Sequence, residues 1–219
     1  MDSHSIADTE HHMTVTIDSG NLVFSDGYLY TFSQPDLLKE ALTVKWAPVG
    51  TQQIPAFNHR LAKLGDSAMK TSMLGIWHAN NHPMNPVDVW ENLHDRGLGM
   101  GKYLAHMADA TGFWKHCEIN GNSVLEAPAD ANYFDDPEGY RTAWSSEWGV
   151  KCKETAVEAL FGAVWQDSEE SCKKLRQVMR RMGVFWPEND VQAATVARYI
   201  GQMKLDGELD TKRDERMRR

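Results

Sequence analysis

Between Glu154 and Asp167 the chain carries a single charge, Glu158. It is set in the run Thr155-Ala156-Val157-Glu158-Ala159-Leu160-Phe161-Gly162-Ala163-Val164-Trp165. The spacing predicts a helix over 150–166 that is almost wholly apolar from Ala156 to Trp165. A carboxylate buried there without a partner costs several kcal/mol or has its pKa driven upward. Glu158 therefore has two readings. The ordinary one is a salt bridge to a lysine or arginine on a neighbouring helix. The functional one is a metal ligand or an acid–base group facing a cleft.

The rest of the chain also reads as helices. From Pro35 onward, Leu37, Leu38, Ala41 and Leu42 recur at helical spacing. A second helix is predicted over 56–78, with Leu61, Leu64, Ala68 and Thr71 inward and His59, Lys63, Asp66 and Lys70 outward. Gly65 in the middle of that helix is disfavoured by about 1 kcal/mol relative to alanine, and implies close approach of another backbone. Beside it, Asp66 alone reads as an exposed aspartate paired with Lys63 or Lys70. Asn85-Pro86 opens a third helix carrying Val87, Val89, Trp90 and Leu93. A fourth runs from about Gly101 to Ala110 and stops at Gly112. Residues 120–148 break the rhythm and read as a long loop or insertion. Asp167-Ser168-Glu169-Glu170 offers a capping box for a helix that ends near Gly183, and Pro187-Glu188-Asn189-Asp190 starts a last one. Val15 and Ile17 alternate with Thr14 and Thr16 before the turn cluster Asp18-Ser19-Gly20-Asn21, so a short N-terminal β arm or an irregular arm is expected. No internal repeat is visible. The expected fold class is all-α, with three parts: an N-terminal arm over 1–26, a helical domain over 27–186, and a C-terminal helix and charged tail over 187–219.

Composition bounds the function. With 31 Asp and Glu against 23 Lys and Arg, the formal net charge is −8, so the chain lacks the basic field on which phosphate neutralisation depends. The exception is the tail, where Lys212, Arg213, Arg216, Arg218 and Arg219 crowd around Asp214 and Glu215. Such a mixed terminus reads as solvated, with contact to RNA or a partner as the other reading. His4, His11 and His12 read as part of a polar tail, with metal binding as the alternative. The three cysteines, Cys117, Cys152 and Cys172, form no CxxC pair, which argues against a disulfide scaffold and a structural zinc site. No apolar run is long enough to span a membrane and no signal core opens the chain, so no membrane partner and a cytoplasmic location are expected. Trp77, Trp90, Trp114, Trp144, Trp148 and Trp165 read as core or dimer packing, or as the lining of a cavity.

Several segments, taken in order, resemble ribonuclease III domains. Gly27-Tyr28 through Tyr30-Thr31-Phe32, then Pro35, Leu37-Leu38 and Glu40-Ala41-Leu42-Thr43, resemble that family's opening, where a glycine–aromatic turn leads to P-x-L-L-x-x-A-L-T. Asn58-x-Arg60-Leu61-x-x-Leu64-Gly65-Asp66-Ser67 is similar to its signature N-E-R-L-E-F-L-G-D-A. Glu158-Ala159-Leu160-Phe161-Gly162-Ala163-Val164-Trp165-x-Asp167 is similar to its second signature, D-x-x-E-A-L-x-G-A-x-Y-x-D. Gly101-Lys102-Tyr103-Leu104-Ala105 matches the N-x-x-L-A helix between them, and the resemblance spans about 27–183.

The resemblance implies a ribonuclease III-type helical domain acting as a homodimer, in which four carboxylates bind divalent metal and activate water against a phosphodiester. Only two of the four positions are acidic here, Asp66 and Glu158. Ala62 and Thr155 occupy the other two, and His59 stands where the signature's first glutamate would be. Glu154, one turn before Glu158, is a candidate substitute ligand. The implied catalytic residues are thus Asp66, Glu158 and His59, and the implied metal ligands Asp66, Glu158 and Glu154. Mg2+ or Mn2+ would be bound weakly, because these ions want hard anionic oxygens. After Gly183 too few residues follow for the double-stranded-RNA-binding domain typical of the family. The leading expectation is a degenerate homodimer, no longer cleaving duplex RNA, that serves as a binding or assembly module for structured RNA or a ribonucleoprotein. The alternatives are a weak or altered metal-dependent endoribonuclease, and an enzyme of unrelated chemistry acting on a small molecule in the inter-subunit cleft.

Overall fold

The computed structural model describes residues 13–44, 46–49, 52–55, 58–79, 90–99, 101–119, 122–124, 147–187 and 196. These are mostly helical, with small sheets at the margins. β1 (Val15–Asp18), β2 (Asn21–Phe24) and β3 (Leu29–Thr31) make an antiparallel meander. Ser19 and Gly20 both hold positive φ, 49° and 84°, which gives the two-residue turn the twist that a hairpin needs. Strand alternation turns Val15, Leu22, Phe24 and Tyr30 inward. The third strand of this meander lies beyond residue 26, within the segment 27–186 that the sequence reading assigns to the helical domain.

Proline at its first position opens α1 (Pro35–Leu42). It is followed by β4 (Thr43–Val44), the hairpin of β5 (Trp46–Val49) with β6 (Gln52–Pro55), and α2 (His59–Ala79). A π-helical segment covers Glu91–Leu98 and leads into α3 (Gly101–Ala110). α3 ends at Gly112, whose φ of 72° closes it as the sequence indicates. A single 3-10 turn, Trp114–His116, precedes β7 (Glu118–Ile119) and β8 (Asn122–Ser123). β7 pairs in parallel with β4 and antiparallel with β8. The described residues are mostly helical, and beyond the arm they add short strands that the sequence reading does not place. Ladders of two residues leave no readable alternation, and Pro48 and Pro55 argue against strand in a sequence.

α4 (Glu147–Asp167) is the hub, packed against α1, α2, α3 and α5 (Cys172–Arg181). Its apolar run is buried from Ala159 to Val164 without a break, as expected of a helix that is hydrophobic on every side. α2 packs along α4 through Leu61, Ala62, Gly65, Ala68, Met69, Ser72 and Met73, its buried residues. Thr71, expected inward, is exposed, and its hydroxyl donates back to the Ser67 carbonyl at 2.9 Å. The buried stripe is centred on the small residues that let the two helices approach.

The expected capping box at Asp167-Ser168-Glu169-Glu170 is corrected by the structure. Ser171 caps α5, its hydroxyl accepting from the Lys174 amide at 3.4 Å. Glu169 and Glu170 form a left-handed turn, with φ of 54° and 63°. Asp167 serves another element. Its carboxylate accepts from the Tyr30 hydroxyl (3.0 Å), the Ser33 hydroxyl (2.7 Å) and the Gln34 amide (2.8 Å), fastening the arm and the start of α1 to the end of α4. The expected start of a helix at Asn85-Pro86, the body of the 120–148 loop and the C-terminal helix lie outside the described residues, apart from the β8 strand, the first turn of α4 and Val196. None of the described helices is long and apolar enough to cross a membrane.

Candidate functional site

The crossing of α2 and α4 places the site. A Cβ on Gly65 would run into the Glu158 carbonyl oxygen and stand 2.6 Å from the Gly162 amide nitrogen. A Cβ on Gly162 would in turn strike the Leu61 carbonyl oxygen. The two backbones touch because neither residue has a side chain, the close approach that a mid-helix glycine implies. Asn58 secures the start of α2, since its amide group donates to the Ala41 carbonyl at 3.1 Å.

This contact sets Asp66 and Glu158 beside each other on neighbouring helices, near enough for the Asp66 charge to act on Glu158. Glu154 joins them from one turn back along α4. Its carboxylate lies against Gly101, at the first position of α3, where a Cβ would meet Oε1 at 2.9 Å. A helix N-terminus favours such a charge. Two lysines face the group and each is already engaged. Lys63 pairs with Asp66 at 3.6 Å and Lys151 with Glu154 at 2.9 Å. The cation expected opposite Glu158 thus goes to its neighbours. Burial, then the charge of Glu154 and more weakly that of Asp66, pushes the Glu158 carboxyl up to about 8, against the pull of Lys151 and Lys63. At neutral pH Glu158 is mostly protonated.

His59 is set apart. It is exposed at the first position of α2, seven residues and so about 10 Å along the axis from Asp66. Its charge is not among those that shift Glu158. Ala62 and Thr155, the two neutral replacements, are 2% and 3% exposed and belong to the packed interior. Among the described residues, no three His, Cys, Asp or Glu groups stand close enough to hold a metal ion. Lys63 and Lys151 are drawn onto Asp66 and Glu154, two of the three carboxylates that would hold Mg2+ or Mn2+.

Of the tryptophans, Trp77 meets Trp90 edge-on at 5.6 Å, and Trp90 stacks on Trp186 at 5.1 Å and on His94 at 4.4 Å. Trp114 is buried. Trp90 and Trp114 belong to the core, while Trp186 also lines a cleft beside the C-terminal half of α2. Trp186 belongs to the cluster, although the sequence does not single it out. Lys151 is also absent from the sequence reading, and Gly101 enters it as a helix start and not as a neighbour of Glu154. Lys151 is legible from its spacing of three residues to Glu154, whereas Gly101 is not, because the contact crosses between helices. No family model matches the chain, and no curated protein matches it.

Proposed function

We propose that this chain is a ribonuclease III-type helical domain that has left ordinary double-stranded RNA cleavage behind and acts as a homodimeric binding or assembly module for structured RNA or a ribonucleoprotein. One observation carries the reading. Ala62 and Thr155 are buried and neutral, and the remaining carboxylates are held by Lys63 and Lys151 or neutralised by protonation. The resemblance is supported by the segments that pack together, since the L-G-D stretch of α2 and the E-A-L-F-G-A stretch of α4 meet at their glycines.

A second reading, a weak or altered metal-dependent endoribonuclease, is favoured by Glu154, which adds a third carboxylate beside Glu158. Cleavage of a labelled duplex by wild type and Glu158→Gln, in magnesium and in manganese, decides between them. The expected result is no efficient cutting by either protein. Rapid cutting by wild type that Glu158→Gln abolishes would establish the second reading. Light scattering tests the homodimer, which a mass near the 24.8 kDa of one chain at micromolar concentration would remove.

A further inference from the structure

Farther along α2 from the carboxylates, beside its C-terminal half, a cleft of about 350 Å³ opens between α2, α5 and the segment Val184–Trp186. That volume is at the small end of ligand pockets, which span about 300–1,000 Å³. Its character opposes that of the chain. The whole protein carries −8, yet α5 (CKKLRQVMRR) holds five cations and no acid. Leu175, Val178 and Met179 bury its inner face. Lys173, Arg176 and Arg180, at helical spacing on another face, line the cleft.

Arg176 is held in place before any ligand arrives. Its Nε donates to the Ser72 carbonyl at 3.0 Å. Its terminal amino group lies over Gly75, where a Cβ would stand 2.7 Å away. Gly75 thus leaves room for the guanidinium. Among the described residues no carboxylate pairs with Arg176, whereas Arg181 is taken by Asp26 at 2.9 Å. A fixed guanidinium without an acid suits bidentate recognition of a phosphate. Ser72, also in the cleft wall, is fully buried, and its hydroxyl has no hydrogen-bond partner. Phe185 is half-buried at the rim with Arg180 6.0 Å from its ring centre, giving the cleft an aromatic surface beside its charge.

We propose that this cleft binds the phosphate group of a nucleotide-sized ester, with Arg176 as the anchoring donor, Lys173 and Arg180 as flanking charges and Phe185 as the stacking surface. The inference does not rest on the ribonuclease III reading, since it uses no residue of the carboxylate site. The phosphate can come from a free nucleotide or from an RNA strand, and the test separates the two.

Inorganic phosphate, adenosine monophosphate and a short single-stranded RNA are each titrated into the full chain at constant ionic strength and followed by amide chemical shifts. Shifts are expected at 72–76 and 173–186. Arg176→Gln is expected to weaken binding by about tenfold, the value of one charge-assisted bidentate contact. Lys173→Gln, on an exposed side chain, leaves the fold intact and is expected to weaken it by about threefold. Lys70→Gln, which removes the same charge from an exposed site outside the cleft, is expected to change it by less than about twofold. Tighter binding of adenosine monophosphate than of inorganic phosphate, with no further gain from the strand, identifies a free nucleotide. A gain confined to the strand identifies RNA. No shifts with any probe at millimolar concentration would overturn the proposal. So would binding that Lys173→Gln and Lys70→Gln weaken equally, whether or not Arg176→Gln folds.

Discussion

Gly65 of α2 and Gly162 of α4 lie backbone to backbone, and a Cβ on the first would stand 2.6 Å from the amide nitrogen of the second. Gly65→Ala and Gly162→Ala should each destabilise the protein by about 2 kcal/mol or more, because the colliding atoms are main chain and cannot rotate away. Gly75→Ala on the same helix should cost less, about 1 kcal/mol or under, since its Cβ meets only the end of the Arg176 side chain, which can shift at the expense of its bond to Ser72. Urea denaturation of the three variants checks this. Equal effects at all three would sink it.

The raised carboxyl of Glu158 makes stability depend on pH in a stated direction. Its pKa rises from 4.5 unfolded to about 8 folded, so the folded state binds the extra proton. The stability linked to that proton is full below about pH 4.5 and is lost as pH climbs toward about 8. Glu158→Gln carries no titrating group there. In a chelating buffer, the melting temperature of wild type should fall relative to Glu158→Gln between pH 5 and pH 8. A constant difference across that window would show that burial does not hold the proton on.

Restoring the family's carboxylates should be costly. Ala62 and Thr155 are 2% and 3% exposed, so Ala62→Glu or Thr155→Asp places an acid in the interior and should lose about 3 kcal/mol or more without metal. Manganese should return part of that loss, and more for the double variant than for either single one, because ligands of one ion act together. Thermal melts with and without manganese read this directly. No manganese effect on any variant would count against the metal-site resemblance.

Asp167 should matter for the arm rather than for chemistry. Asp167→Ala removes acceptors for Tyr30, Ser33 and Gln34, and should cost about 2 kcal/mol. Hydrogen exchange should rise over 15–34 while the centre of α4 stays protected. Uniform loosening of the whole chain would contradict the assignment.

Some of this site is legible in the sequence and some is not. Glu158 stands out because one charge in an apolar run must be accommodated somehow. Gly65 stands out because a glycine in mid-helix has to be explained by something other than helix propensity. α3 and its end at Gly112 read correctly because glycine takes positive φ readily. Thr71 reads wrongly because the buried stripe of α2 is set by which residues permit approach to α4, and that depends on Gly162, far away in the chain. Asp167 reads wrongly because an acid followed by Ser168, Glu169 and Glu170 matches a local cap, while its partners lie more than a hundred residues earlier. The pairing of β4 with β7 is equally non-local and too short to leave a pattern.

The clasp at Asp167 also has a consequence in time. Gln34 precedes its acceptor by 133 residues. At about 5–20 residues per second of synthesis, the arm leaves the ribosome roughly 7–27 seconds before the helix that fastens it. Over that interval Val15, Leu22, Phe24, Tyr30 and Phe32, all buried in the finished protein, lack the part of the common core that α4 supplies. The arm is therefore made well before it is secured, and the nascent arm is where a chaperone would find exposed apolar strand.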